Sequence, residues 1–401
     1  MNYSVPWGGV SLRARSLWAT YSRRQNKKMK KIALIIIIPL SVCALTLFVA
    51  GDFKARESSN NFLLEIKTEP QKKTNDFEQK LNGLNLEQKI GQLFIVGFEG
   101  KKLTPDTEKM IKELHPGGIL LLKRNIENEN QLKELIDSLQ KTALEDTGLP
   151  LFIAIDEEGG MVSRLEWLDK FSQQEIENQE LAYKIGEKRA DALKNLGINL
   201  NLAPVLDAGE PGDFIFKRGF QKEPKTSGIL ANALIRGQKE AGVLVAIKHF
   251  LGYGGISFNP EEKLAVIDGI PEISQFKEAN NSCPEMVMVS NAVYKEVDKD
   301  LPFSFSPRGI EFLRNELKGD YLIISDDLAQ NSLLRELSLE EIVSLPIKAG
   351  VDVLIFSGWR LPVEDGVLAF RGTVKKGEIL EARINQSVLK IIETKSKIEV
   401  K

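Results

Sequence analysis

The stretch VLVAIKHF, residues 243–250, is apolar over its first five residues and then turns basic at Lys248 and His249. A short continuous apolar run fits a strand buried on both faces, as in a parallel sheet. Working outward, the same kind of run recurs at QLFIVGF (92–98), GGILLL (117–122), PLFIAID (150–156), INLNLAPV (198–205), EMVMVSNA (285–292), YLIISDD (321–327) and VDVLIF (351–356). Amphipathic stretches lie between them, for example at 128–146, 177–196, 226–241, 308–317 and 338–349. A final helix is expected over 377–397. Thr104-Pro105-Asp106 has the form of a helix start, an N-cap followed by proline in the first turn. Eight apolar strands alternating with helices predict an α/β fold, a (β/α)8 TIM barrel over residues 78–401. The runner-up is an open doubly wound sheet. It would want a glycine-rich phosphate loop after the first strand, and GFEGKKL (97–103) is not one.

The chain has 401 residues, 42% apolar and 27% charged, which is ordinary globular composition. Collagen-like, wholly disordered and disulfide-stapled classes are excluded. A formal net charge of −2 offers no whole-chain basic field, so no nucleic-acid partner is expected. There are two histidines, His115 and His249, too few for a three-histidine zinc site. No metal or cofactor is expected.

The small net charge hides an asymmetry. Residues 1–31 carry Arg13, Arg15, Arg23, Arg24, Lys27, Lys28, Lys30 and Lys31 and no acid. The uncharged run IALIIIIPLSVCALTLFVA follows at 32–50. It is long enough to cross a bilayer as one helix. The basic flank predicts a cytoplasmic arm (1–31), an N-terminal transmembrane helix (32–50), and everything after it outside. A cleaved signal peptide starting at Met29 is the alternative. Against it, the run exceeds the usual apolar core of a signal, and Phe48 precedes Val49-Ala50 where a small-x-small site is wanted. Residues 51–77 are polar and of mixed charge and read as a linker. Cys43 falls in the membrane segment, so Cys283 has no partner and no structural disulfide is expected.

In a barrel, chemistry sits where strands end and the following loops begin. Here those ends are polar: Asp156 with Glu157-Glu158-Gly159-Gly160, Asp207 with Arg218 beyond it, Lys248-His249, and Ser325-Asp326-Asp327. Asp and Gly at such places can be mere turn formers. Lys248-His249 at the end of an apolar run, opposite paired carboxylates, cannot be explained that way. A ring of acids and bases suits a polyhydroxylated, largely uncharged substrate, a carbohydrate.

IDEEGGMVSRL (155–165), GINLNLAPVLD (197–207), KRGF (217–220), KHFLGYG (248–254) and IISDDL (323–328) resemble, in this order, the motifs of glycoside hydrolase family 3. They are most similar to its single-barrel bacterial β-N-acetylhexosaminidases, over about 84 to 395. The resemblance implies retaining hydrolysis of a terminal β-linked N-acetylhexosamine, with cell-wall fragments as the expected source. It implies Asp326 as nucleophile and sugar contacts from Asp156, Arg164, Arg218, Lys248 and His249. Spacing alone does not separate Asp326 from Asp327; the family pattern selects the first. A monomer is expected.

The sequence departs from the family at one place. Single-barrel members carry Gly-His-Gly after the Lys-His strand, then Asp-Ser-His, whose His is the acid/base. Here Tyr253 replaces the first His, and Asn259-Pro260-Glu261 stand at the Asp-Ser-His. His115 precedes the second strand, on the wrong side of a barrel. Either Glu261 serves as general acid/base, as in the two-carboxylate arrangement of most glycosidases, or the chain is a catalytically silent, membrane-tethered glycan-binding protein. Glu261-Glu262-Lys263 is also readable as a solvated charge cluster. A β-glucosidase-like specificity is a third reading.

Overall fold

The computed structural model describes residues 70–168 and 170–399. The basic arm, the apolar run 32–50 and most of the linker lie outside them. Among the described residues no helix is long and apolar enough to cross a membrane. One helix, Pro70–Gly83, begins inside the stretch whose composition reads as linker. Its sequence is polar apart from Phe77 and Leu81, so it carries little of the apolar periodicity that marks a helix.

Eight parallel strands close into a barrel. They are β1 (Phe94–Val96), β2 (Gly118–Leu121), β3 (Phe152–Ile155), β4 (Leu200–Asn201), β5 (Leu244–Phe250), β6 (Met286–Val289), β7 (Leu322–Asp327) and β8 (Val353–Phe356). Each pairs with its sequence neighbour, and β8 returns to β1, with Phe94 opposite Leu354. Every run singled out in the sequence contains one strand. Helices at Glu129–Thr147, Gln179–Asn195, Pro224–Glu240, Pro307–Glu316, Leu339–Ala349 and Glu381–Lys395 lie where the amphipathic stretches predict them. Thr104 caps the helix Pro105–Leu114 by accepting from the Thr107 amide, with Pro105 in its first turn.

Strands β1, β2, β3, β6 and β8 are buried along their whole length, which accounts for their unbroken apolar sequence. Between Ile247 and Phe250 the register of β5 against β6 shifts. Such an irregularity re-aims side chains at a barrel rim. Lys248 and His249, although adjacent, both line the cavity at the barrel mouth.

His115 ends the helix Pro105–Leu114 in a left-handed conformation, φ 54°, and its Nδ1 lies 2.7 Å from Asp146 Oδ2. It is a helix-end residue remote from the mouth.

Candidate active site

The mouth holds a cavity of ≈ 410 Å³. Asp156, Arg164, Arg218, Lys248, His249, Glu261 and Asp326 all line it, so every residue singled out for binding or catalysis meets there.

The floor is an ion-pair lattice. Three acids follow β3, and each takes a different job. Asp156 accepts from Lys248 Nζ at 2.7 Å and from Arg164 Nη2 at 3.2 Å. Glu157 is fully buried, and its Oε2 accepts the amides of Arg164 and Leu165, which folds the loop back so that Arg164 reaches Asp156. Glu158 takes Arg218 in a two-pronged contact of 3.0 and 2.7 Å and Lys248 Nζ at 2.7 Å. The turn between them needs glycine: Gly159 has φ +83°, and a Cβ there would meet the Phe171 carbonyl at 2.0 Å. Burial opposes the charge on Asp156, but Lys248 and Arg164 outweigh it and hold the carboxyl below the usual range. Glu158 is lowered in the same way by Arg218 and Lys248, and Arg218 is held above its ordinary value by Glu158.

Asp207, at first sight a turn former, is a buried organiser. Its Oδ2 accepts from both the His249 amide and His249 Nδ1 at 2.9 Å. Its Oδ1 accepts the Tyr253 amide at 2.6 Å. Burial raises its pKa and the contact with His249 more than reverses that, leaving it ionised. With Nδ1 committed to Asp207, Nε2 is the His249 nitrogen that faces a ligand's hydroxyl groups.

Asp326 is held by both oxygens. The Tyr253 hydroxyl donates to Oδ2 at 2.8 Å and the Asp327 amide donates to Oδ1 at 2.7 Å. The direction of the first bond is fixed, because the Asn291 amide donates to the same phenol oxygen at 2.8 Å. Burial, then the charge on Asp326, push the Tyr253 phenol well above its ordinary pKa, so it stays protonated and keeps donating. The family resemblance marks Tyr253 only as a replacement for histidine; its role as a strut for the carboxylate depends on the loop after β5 reaching β7. Gly254 lets the same loop pack against the loop after β4, since a Cβ there would lie 1.9 Å from the Ala208 carbonyl.

Asp327 is turned away into the frame. Ser357 donates to it through its amide at 3.0 Å and its hydroxyl at 2.6 Å, and the Ala329 amide adds a third bond. Burial nonetheless raises its pKa. The two neighbours thus have different partners, Tyr253 for Asp326 and Ser357 for Asp327.

Glu261 sits on the exposed rim of the same cavity. Its amide donates to Asn259 Oδ1 at 3.0 Å and its carbonyl accepts the Ser332 amide at 2.9 Å. Partial burial, then the charges of Asp326 and Asp327, raise its pKa. Among the described residues no group of three His, Cys, Asp or Glu side chains is placed to hold a metal ion.

The sequence profile of the glycosyl hydrolase family 3 N-terminal domain matches residues 85–394. A beta-hexosaminidase of Idiomarina loihiensis is 30% identical over 283 residues, covering 65% of this chain and 82% of that protein. Among solved structures, a glycoside hydrolase family 3 beta-N-acetylglucosaminidase from Paenibacillus sp. str. FPU-7 superposes with a TM-score of 0.74 at 31% identity, over 78% of this chain and 62% of that one. This chain therefore spans less than two thirds of that protein. A beta-N-acetylhexosaminidase from Beutenbergia cavernae gives a TM-score of 0.72 at 26% identity, over 78% of this chain and 99% of that one. With its barrel, its ordered motifs and these relatives, the chain belongs to glycosyl hydrolase family 3 and is a glycosyl hydrolase.

Proposed function

We propose that this enzyme removes terminal β-linked N-acetylhexosamine with retention, using Asp326 as nucleophile and Glu261 as general acid/base. One observation carries the reading. Five carboxylates line the cavity, and Asp156, Glu158 and Asp327 are committed to Lys248, Arg164, Arg218 and Ser357. Asp326 is oriented but has no cationic partner among the described residues, and Glu261 is biased toward its protonated form by burial and by Asp326. A carboxylate oriented by neutral donors and a second carboxyl whose pKa is raised, both lining one cavity, make the pair that retaining hydrolysis needs.

In the first step Asp326 attacks the anomeric carbon while Glu261 gives its proton to the glycosidic oxygen, and the aglycone departs as an alcohol. In the second, Glu261 takes a proton from water, whose oxygen attacks the same carbon and releases Asp326. Asp156, Arg164, Lys248 and His249 present the polar edges that hold the sugar hydroxyls. The N-acetylhexosamine specificity rests on the relatives named above.

The test uses two substrates and one variant. Wild type should hydrolyse both N,N′-diacetylchitobiose and an aryl β-N-acetylglucosaminide, with the β-anomer appearing first. Glu261→Ala should lose roughly 10²–10⁴-fold on the disaccharide. It should lose far less on a dinitrophenyl glycoside, whose leaving group needs no proton. Azide should rescue it and yield a β-glycosyl azide. Faster turnover of the aryl β-glucoside would replace the hexosaminidase assignment by a glucosidase one. Binding without turnover of any glycoside would return the chain to the silent glycan-binding reading.

The pH profile follows from the same assignment. Protonated Glu261 is the active form in the first step, so kcat/KM falls as pH rises through its raised pKa. That basic limb should disappear in Glu261→Gln.

The location of the enzyme is part of the proposal. The arm 1–31 and the apolar run 32–50 support an uncleaved anchor with the barrel outside the membrane. Membrane fractions washed with alkaline carbonate should retain the protein. External protease should reach the barrel in intact cells or spheroplasts, and release of the barrel by the wash would favour signal cleavage.

A further inference from the structure

The segment that carries Glu261 is tied down by its neighbour. One carboxylate oxygen of Glu262, Oε1, is paired with Arg360 Nη2 from the loop after β8. The other, Oε2, accepts from Asn331 Nδ2 at 2.9 Å, and the Glu262 carbonyl accepts from Arg335 Nη1 at 3.1 Å. Asn331 opens, and Arg335 caps, the short helix Asn331–Leu334 after β7. The turn also closes on itself, with the Glu262 amide donating to the Asn259 carbonyl at 3.1 Å. Three loops of the barrel mouth, those after β5, β7 and β8, are joined at this one residue.

An ordinary surface ion pair contributes little to stability, and that is the competing view of Glu262–Arg360. The arrangement here differs in what it is attached to. Glu261 has no hydrogen bond from its own carboxyl among the described contacts, so nothing at the carboxyl itself fixes where it points. Its main chain is held by Ser332, and its neighbour's side chain by Arg360 and Asn331.

We infer that Glu262 and Arg360 are a positioning pair that holds the Glu261 carboxyl over Asp326. The inference rests on the assignment of Glu261 as acid/base. The groups that face Glu261 are Asp326 and Asp327 from β7, Arg218 from the loop after β4, Arg360 from the loop after β8, and Glu262 beside it. Glu262 and Arg360 carry opposite charges and so act on Glu261 with opposite signs. Removing either charge alone must therefore shift Glu261 in opposite directions. Glu262→Gln leaves Arg360 uncompensated and favours the carboxylate. Arg360→Gln leaves Glu262 uncompensated and favours the neutral acid.

The experiment measures kcat/KM against pH for wild type, Glu261→Gln, Glu262→Gln, Glu262→Asp, Arg360→Gln and the charge swap Glu262→Arg with Arg360→Glu. N,N′-diacetylchitobiose and the dinitrophenyl glycoside are the substrates. Glu262→Gln and Arg360→Gln should each lose roughly tenfold or more on the disaccharide, a fraction of the general-acid contribution. Each should stay within about threefold on the activated glycoside, which needs no acid. The basic limb should move down in pH for Glu262→Gln and up for Arg360→Gln. Glu262→Asp and the swap should recover part of the loss. Turnover of the activated glycoside reports that a variant is folded. Unchanged disaccharide rates in both Gln variants, or limbs that move together, overturn the pair. Equal losses on both substrates in the Gln variants and in Glu262→Asp also overturn it, as damage to the whole mouth. If Glu261→Gln itself spares the disaccharide, the acid assignment fails and the pair fails with it. If Glu261→Gln loses the disaccharide while the Glu262 and Arg360 variants do not, only the pair fails.

Discussion

On the floor of the cavity Lys248 is 1% exposed and touches two carboxylates, each of which touches an arginine. On the rim, Glu261 and Trp359 face solvent, and Trp359 is 69% exposed. The floor is built from buried and part-buried charges, each paired with another. The rim is built from side chains held through neighbours. A buried lattice of this kind fixes geometry, because leaving any member unpaired is costly. An exposed loop can exchange its chemistry with little penalty to the fold. This difference accounts for a family pattern that is intact at Lys248-His249 and altered at Glu261; Tyr253, 2% exposed, is a change within the buried frame.

The largest expected effect lies where floor and rim meet. Asp326→Asn should reduce kcat on every β-glycoside, activated or not, by on the order of 10⁴-fold or more. Its melting temperature should stay close to that of wild type. Residual turnover within a hundredfold of wild type would remove Asp326 from the nucleophile's place.

Next is the floor itself. Lys248→Met strands Asp156 and Glu158 on one buried side. Removing one partner of a buried pair costs about 3–5 kcal/mol. Urea unfolding should report that loss, and sugar binding should fall with it. A variant as stable as wild type would mean that the lattice is wetter and softer than its burial implies.

Tyr253→Phe should come third. It removes the hydroxyl that fixes Asp326 Oδ2 and leaves the buried Asn291 amide without its acceptor. The orphaned amide should cost about 1–3 kcal/mol of stability, and the loss of the bond that orients Asp326 should lower kcat roughly 10- to 100-fold on both substrates. Loss on the disaccharide alone would assign Tyr253 to the acid's side of the site instead.

The same contrast explains what could be read from residues alone. The eight strands were legible because burial on both faces forces an unbroken apolar run, as in MVMV of β6 and VLIF of β8. Lys248, Asp156 and Arg164 were legible because they interrupt or end such runs, and the family motifs name them. Glu158 and Asp207 were less so. Turn formers and buried organisers share the same residue types, and only the contacts with Arg218, His249 and Tyr253 tell them apart. Tyr253 carried a signal only as a departure from a pattern, since its partners Asp326 and Asn291 lie 73 and 38 residues away. The helix Pro70–Gly83 escaped notice because a helix with two apolar residues looks like a linker in composition.

The smallest effect belongs to Trp359. This residue lines the cavity and is the chain neighbour of Arg360. One face of its ring is backed by the Arg124 guanidinium at 5.9 Å. Arg124 is in turn fixed by the Phe98 and Ser357 carbonyls at 3.0 and 2.6 Å, so the backing is rigid. An exposed indole on a rigid support offers its other face to the apolar side of a second sugar ring. Trp359→Ala should leave stability within about 0.5 kcal/mol of wild type, as for most surface positions. KM for N,N′-diacetylchitobiose should rise about three- to tenfold, the scale of one aromatic contact. N-acetylglucosaminyl fluoride has no second ring and should be hydrolysed at the wild-type rate. Equal losses on the fluoride and the disaccharide would show that Trp359 shapes the loop after β8 and does not contact the leaving group. In that case the rim would resemble the floor more closely than the exposure of its side chains suggests.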